Sequence, residues 1–263
     1  MSDMDPYTFS IQKIQEAGDL VMRLKGEVFD THMKGGDPRD IVTSVDMRVS
    51  EFLMGEIRNM FPGDSVYSEE GGGEERESKR LWVIDPIDGT ANFSRGIPHF
   101  SVCMGFLEGG VPIAGGVYNP VTKELFSFKK GAGAFLNGER IHTSRITDLS
   151  QAHVFFHAGR KKELWDWGGE SYRKLLEHAG KTKNFSGFAL DTCFVAAGRI
   201  EANIYGALTQ TLDLAPALGI LAEAGGVASD EKGGQVAFPA SVQKLYMANN
   251  GTMLESVRSL LES

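Results

Sequence analysis

The chain has 263 residues, with 27 Lys+Arg against 35 Asp+Glu for a formal net charge of −8. That length suits one large domain or two intimate ones, and 41% hydrophobic with 24% charged residues excludes wholesale disorder. The acid excess argues against a non-specific nucleic-acid binder, which needs a basic footprint. Two cysteines, Cys103 and Cys193, exclude a disulfide framework and a cysteine-rich zinc site. No apolar stretch approaches the ~20 residues of a membrane span. The acidic opening residues lack the basic-then-apolar run of a signal peptide, so a soluble cytoplasmic protein is expected. Glycine supplies 32 of the 263 residues, well above the usual ~7%. It sits between apolar runs, as in an α and β protein with many short connections.

In chain order, apolar residues at helical spacing (Ile14, Ala17, Val21, Leu24, Val28) predict a first helix over Thr8 to Val28. Gly35, Gly36 and Pro38 then make Thr31 to Arg39 a mobile loop. A second helix is expected from Ser44 to Met60, capped by Thr43 or Ser44 and stopped by Pro62-Gly63. A strand over Asp64 to Ser68 leads into an acidic, glycine-rich loop from Glu69 to Lys79. A short strand, Leu81 to Asp85, follows. Phe100–Leu107, Val111–Tyr118 and Glu124–Phe128 read as an antiparallel meander, and Asn137-Gly138 as a type I′ hairpin turn. Beyond residue 150 strands near His153–His157, Ala202–Tyr205 and Leu245–Ala248 mix with helices near Glu170–Ala179, Ala189–Ala197, Leu214–Ala224 and from Met253. The change of pattern marks a seam near 150 within a single 1–263 domain.

The chemistry concentrates in Trp82 to Phe93. A buried strand ends at Asp85, Pro86 forces a bend, Asp88 follows, and Gly89-Thr90 open a new helix. Two carboxylates and the Ile87 carbonyl can then face one point, an all-oxygen set suited to Mg²⁺ or Mn²⁺ rather than zinc. Free N–H groups at a helix start offer a phosphate seat. Asp-Pro and Asp-Gly are also ordinary turn dipeptides, so spacing alone leaves a plain turn and a metal site about equally open. Glu69-Glu70 taken alone is a solvated loop edge, and Asp213 a helix cap.

Taken together, these segments resemble one family across nearly the whole chain. Asp85-Pro86-Ile87-Asp88-Gly89-Thr90-Ala91-Asn92-Phe93 resembles the signature of the inositol monophosphatase family, Mg²⁺-dependent and lithium-sensitive phosphatases. Asp40 to Asp46, Ser68-Glu69-Glu70, Gly131 to Gly138, Asp213 to Gly226 and Ala248-Asn249-Asn250 resemble its other motifs, in order. The resemblance implies an α/β fold, a layered αβαβα sandwich, usually homodimeric, acting on a small phosphorylated metabolite. It implies Glu69, Asp85 and the Ile87 carbonyl as ligands of a first Mg²⁺, with Mn²⁺ as substitute. Asp85, Asp88 and Asp213 would hold a second ion, and Glu69 a weaker third. The catalytic group would be Asp46, Glu69 and Thr90, with Thr90 orienting the attacking water and Asp46 holding the Thr90 hydroxyl. Backbone N–H groups of Gly89 and Thr90 would cradle the phosphate, with Asp88, Phe188, Gly206 and Asp213 also on the substrate side. Carboxylates this close repel one another, and divalent ions reverse that balance.

Departures from the family pattern cluster on the substrate side. Where the family commonly has Gly-Ser-Ala-Ala-Leu, this chain has Ser186-Gly187-Phe188-Ala189-Leu190. A hydroxyl-binding Glu aligns with Gly206, and a Trp before the metal-binding Asp with Leu212. Inositol 1-phosphate is therefore not expected to be the best substrate, Phe188 should favour an apolar or aromatic one, and Gly206→Glu should improve inositol 1-phosphate. Fructose-bisphosphatase, 3′(2′),5′-bisphosphate nucleotidase and histidinol phosphatase activities share the metal signature. A binding or regulatory protein without activity should have lost a metal carboxylate or the Thr90–Asp46 pair, and all are present. Gly71-Gly72-Gly73 lacks the following Lys of a P-loop and reads as a flexible turn. Lys34 occupies a loop where the family can carry a lysine near the metals.

Overall fold

A computed structural model describes residues 4–27, 30–33, 41–70, 72–73, 79–159, 161–210, 212–239 and 241–263. Val28, Lys34, Asp40 and most of the glycine-rich loop lie outside these residues. The elements are α1 (Pro6–Lys25), β1 (Thr31–Met33), β2 (Ile41–Thr43), α2 (Ser44–Met60), β3 (Ser65–Ser68), β4 (Gly72–Gly73), β5 (Arg80–Asp88) and α3 (Thr90–Ser94). The meander follows as β6 (Ser101–Glu108), β7 (Val111–Asn119), β8 (Glu124–Lys129), β9 (Gly133–Leu136) and β10 (Glu139–Ile141). Then come β11 (His153–His157), α4 (Trp165–His178), β12 (Lys181–Lys183), α5 (Phe188–Ala196), β13 (Ala202–Gln210), α6 (Ala215–Glu223), β14 (Val227–Asp230), β15 (Ser241–Ala248) and α7 (Gly251–Leu261).

Among the described residues, an eight-stranded sheet runs β10-β9-β8-β7-β6-β5-β3-β4 and a five-stranded sheet β12-β11-β13-β15-β14. Side chains alternate across each strand, and that parity sorts the core into layers. Val102, Met104 and Phe106 of β6 face α1 and α2, packing with Ile14, Val21, Val49 and Leu53. Cys103, on the opposite face, joins α5 and α6 in a central cluster that also takes Phe155, Leu245 and Met247 from the second sheet. The other face of that sheet, Val154, Phe156, Ile204 and Tyr246, packs on Leu175 of α4 and Val257 of α7. The layers are therefore α1/α2, first sheet, α5/α6, second sheet, α4/α7. That is the αβαβα order implied by the sequence motifs.

Local chemistry accounts for the elements that hold the site. α2 begins in a capping box, with Thr43 accepting from the Asp46 N–H while the Asp46 carboxylate accepts from the Thr43 N–H at 2.9 Å. The β9–β10 turn has Asn137 at φ +51° and Gly138 at φ +84°, the positive values a type I′ turn requires. Two expectations close to the site change. Thr31–Met33, expected within a loop, pairs antiparallel with Ile41–Thr43. The strand expected to stop at Asp85 continues through Pro86 to Asp88, with a register shift between Asp85 and Asp88.

Close packing between α6 and the first sheet gives a stability prediction. A Cβ on Gly219 would lie 2.3 Å from Cζ of Phe128, a buried ring of β8. Gly219→Ala gains about 1 kcal/mol of helix propensity, but forcing that ring aside costs about 1–3 kcal/mol. A net loss of stability is expected in urea unfolding, and an unchanged or raised midpoint would show that Phe128 moves aside freely.

Candidate active site

Strand parity explains how Asp85 and Asp88 come to share one face. Three residues apart on a regular strand, they would point to opposite sides. Asp85 pairs with Cys103 and Asp88 with Ser101, so β5 carries one more residue than β6 across this interval. That one-residue bulge restores the parity, and Pro86, which cannot donate to the ladder, sits inside it. Ser101 and Cys103 lie on the same face, 3.6 Å apart at Oγ and Sγ. Both carboxylates thus face the α5/α6 layer. Asp88 Oδ2 accepts from the Ala189 N–H at the start of α5 at 2.9 Å, and from Ser101 Oγ at 3.4 Å.

The remaining acids arrive from three other elements. β3 runs parallel to β5 with Ser68 opposite Ile84, and the Glu69 N–H continues the pairing onto the Ile84 carbonyl at 3.1 Å. Glu69 therefore leaves the sheet beside Asp85. Asp213 lies in the single turn Leu212–Leu214 that leads into α6 and packs against β5. Asp46, in the first turn of α2, accepts at Oδ1 from Thr90 Oγ1 at 3.2 Å. Thr90 Oγ1 also lies 3.0 Å from the Ile87 carbonyl oxygen. Gly89 caps α3 at φ +87°, with the His99 carbonyl 3.1 Å from where its Cβ would be. Only glycine takes that turn without strain.

Electrostatics around Asp85 are one-sided. Its carboxyl is 8% exposed and is pushed well above its usual range, first by burial and then by the negative charge of Glu69, Asp88, Asp213 and Asp46. No cation is among those leading influences. Asp88 is pushed up to about 7 by burial, offset by the Ala189 N–H, with Asp191 opposing and His99 supporting its ionised form. Burial also raises Asp46, against the bonds from Thr43.

Among the described residues, no three His, Cys, Asp or Glu side chains already stand close enough to form a closed metal cage. An oxygen-only donor set with a large surplus of negative charge nevertheless fits hard divalent cations. The Ile87 carbonyl lies 3.0 Å from Thr90 Oγ1 and, with the single Thr90 proton directed to Asp46, keeps its lone pairs for such an ion.

On the substrate side, Phe188 is 6% exposed, with its ring edge-on to Tyr205 at 5.3 Å. It acts as core packing, and offers no open face for an aromatic substrate as the sequence suggested. Gly206 is equally enclosed. A Cβ there would lie 2.5 Å from Trp167 Cζ3 and 2.6 Å from the Ala158 carbonyl oxygen. The expected gain from Gly206→Glu is therefore overturned, because the space is filled by a ring and by backbone. Gly206→Ala alone is expected to lower the unfolding midpoint by overpacking, at about 1–3 kcal/mol, and unchanged stability would contradict this.

Comparison with known proteins agrees with the fold. The inositol monophosphatase family model matches residues 3–263. A fructose-1,6-bisphosphatase/inositol-1-monophosphatase of Thermotoga maritima is 32% identical over 254 residues, covering 97% of this chain and 94% of that relative. A Nus factor SuhB of Vibrio cholerae is 33% identical over 232 residues, covering 86% and 85%. Among solved structures, a Thermotoga maritima IMPase aligns with a TM-score of 0.87 at 31% identity, over 97% of this chain and 95% of that one. The chain belongs to the inositol monophosphatase family and is a phosphoric monoester hydrolase.

Proposed function

We propose that the chain hydrolyses the phosphomonoester of a small polyol, sugar or related metabolite, with Mg²⁺ as cofactor and Mn²⁺ as a substitute. The observation that carries this is the buried Asp85, whose leading electrostatic neighbours are the carboxylates of Glu69, Asp88, Asp213 and Asp46. Glu69, Asp85, Asp88, Asp213 and the Ile87 carbonyl would hold the metal. Divalent ions bound there supply charge neutralisation at the phosphoryl oxygens and lower the pKa of water.

The chain's own groups position the reactants and move the proton. Thr90 Oγ1 donates toward Asp46 Oδ1, which leaves its lone pairs to accept from a water O–H. As the water oxygen attacks phosphorus and the ester P–O bond breaks, the water proton passes to Thr90 Oγ1 while the Thr90 proton passes to Asp46 Oδ1, and the departing alkoxide takes a proton from solvent water. Burial raises the Asp46 pKa and makes it a better acceptor than a surface carboxylate. The turn at Gly89 and Thr90 is the seat for the phosphate.

Substrate choice belongs to the same proposal. Gly206 supplies no carboxylate for substrate hydroxyls, and a charge-assisted hydrogen bond is worth roughly 1.5–3 kcal/mol. The test is phosphate release with Mg²⁺ from inositol 1-phosphate, fructose 1,6-bisphosphate, adenosine 3′,5′-bisphosphate and histidinol phosphate. At least one should turn over, with inositol 1-phosphate not the highest in kcat/KM. Inositol 1-phosphate clearly leading would contradict the specificity argument, and no hydrolysis of any would overturn the proposal. Lithium inhibition, typical of the family, is part of the same expectation. So is a homodimer, which the exposed Trp165, Tyr172 and Leu176 along α4 support.

A further inference from the structure

Beside the carboxylate cluster lies a buried pair that touches none of the reacting groups. His99 Nε2 is 2.8 Å from Asp191 Oδ1, with side chains 13% and 5% exposed. The two residues are 92 positions apart and join the segment after α3 to the first turn of α5. The ring of His99 lies against Phe185 and Phe194, at 5.2 and 5.9 Å. A Cβ on Gly187, the N-cap of α5, would lie 2.7 Å from His99 Cδ2. The backbone of His99 is fixed as well, because its carbonyl accepts from Asn92 Nδ2 at 2.8 Å and borders Gly89. Asn92 Nδ2 also donates to the Phe185 carbonyl at 2.8 Å. One residue thus contacts both the turn that would seat the phosphate and the start of α5.

The start of α5 needs such an anchor. Gly187 provides no side-chain cap, so no N-cap side chain fixes where the first N–H groups of the helix point. Yet the Ala189 N–H makes the shorter of two hydrogen bonds to Asp88 Oδ2, at 2.9 Å. Asp191, two residues later on the same turn, turns its carboxylate back to the Gly187 N–H and to His99.

We propose that His99 and Asp191 are positioning residues that pin the first turn of α5 and thereby hold the Ala189 N–H on Asp88. This rests on Asp88 belonging to the catalytic cluster, and it adds a determinant of that carboxylate's orientation. Losing the tether lets α5 drift by a few tenths of an ångström. Orientation errors of that size lower turnover more than they lower substrate binding.

The test uses the full-length protein and the variants Asp191→Leu, His99→Phe, His99→Gln and the double variant Asp191→Leu/His99→Phe. Hydrogen exchange at the Ala189 amide is followed without metal or substrate. kcat and KM are measured with Mg²⁺ on p-nitrophenyl phosphate. In the wild type the Ala189 amide should exchange slowly. In Asp191→Leu and His99→Phe it should exchange at least about tenfold faster, with kcat down about tenfold and KM within about twofold. The double variant should be no worse than either single one, because both break one contact. His99→Gln, whose Nε2 reaches the same place, should keep most of the activity.

Losses that multiply in the double variant, unchanged Ala189 exchange in Asp191→Leu and His99→Phe, or full turnover in folded Asp191→Leu would each overturn the proposal. Should the variants fail to fold, fast exchange at Ala189 in the wild type would do the same. Absence of wild-type turnover with Mg²⁺ would instead count against the phosphatase function, leaving the exchange data to decide the role of the pair.

Discussion

Asp88→Asn is expected to reduce turnover to below about a tenth of the wild-type rate, a barrier increase of at least ~1.4 kcal/mol, while the fold survives. Asn preserves the shape, and its side-chain oxygen can still accept from the Ala189 N–H and Ser101 Oγ that now meet Asp88 Oδ2. What disappears is the charge that a divalent ion needs. The metal-free variant should also be more stable than the wild type at pH 8. Burial raises Asp88 from 3.8 to about 7 in the folded protein, so above pH 7 the folded wild type carries a charge it would rather neutralise. A folded pKa above the unfolded one means stability present at low pH and lost as pH rises through about 7. The advantage of Asn should therefore shrink toward pH 5 and vanish near 4. Turnover above a tenth of wild type, checked by steady-state kinetics, would remove Asp88 from the metal ligands.

Removing divalent ions is expected to have the larger effect, taking phosphate release to background, with recovery when Mg²⁺ or Mn²⁺ is returned. The reason lies in the field of the site. A phosphomonoester brings about two negative charges toward Asp85, whose leading neighbours are the carboxylates of Glu69, Asp88, Asp213 and Asp46. Without counter-ions that approach is repulsive. The same ions should raise the thermal midpoint of the free protein, since binding only the folded state stabilises it by mass action. Activity that persists in excess chelator, with no metal detected on the protein, would contradict this.

The elements legible in the sequence were those whose cause is local. The bounds of α2, Ser44–Met60, follow from the Thr43–Asp46 box at one end and Pro62-Gly63 at the other. The β9–β10 hairpin follows from Asn137-Gly138. What escaped was set by tertiary contact. α4 starts at Trp165, ahead of the expected Glu170, because Gly168, a breaker on propensity, serves there as a contact: its Cβ would lie 2.6 Å from Ala158 Cβ. β14, Val227–Asp230, is short and mostly half-buried, and so carried no apolar run to find. The Asp85–Asp88 bulge depends on pairing with β6, which no local pattern encodes.

The candidate site divides along the same line. Residue types and motif order brought Asp46, Glu69, Asp85, Ile87, Asp88, Gly89, Thr90 and Asp213 forward. The structure adds the hydrogen bonds joining Thr90 to Asp46 and Ala189 to Asp88. The sequence showed that Gly206 has no carboxylate, but not that Trp167 and Ala158 close the space around it. It gave no sign of His99 and Asp191, whose partnership exists only once the start of α5 meets the segment that follows α3.

The most direct measurement is calorimetric titration of Mn²⁺ into the metal-free wild type, Asp85→Asn and Asp88→Asn, with phosphate release followed on the same samples. The wild type should bind Mn²⁺ and hydrolyse a phosphomonoester in proportion to occupancy, while both folded variants lose binding and turnover together. Variants that bind Mn²⁺ and turn over like the wild type, or a wild type that hydrolyses without bound metal, would contradict a catalytic centre built on these carboxylates.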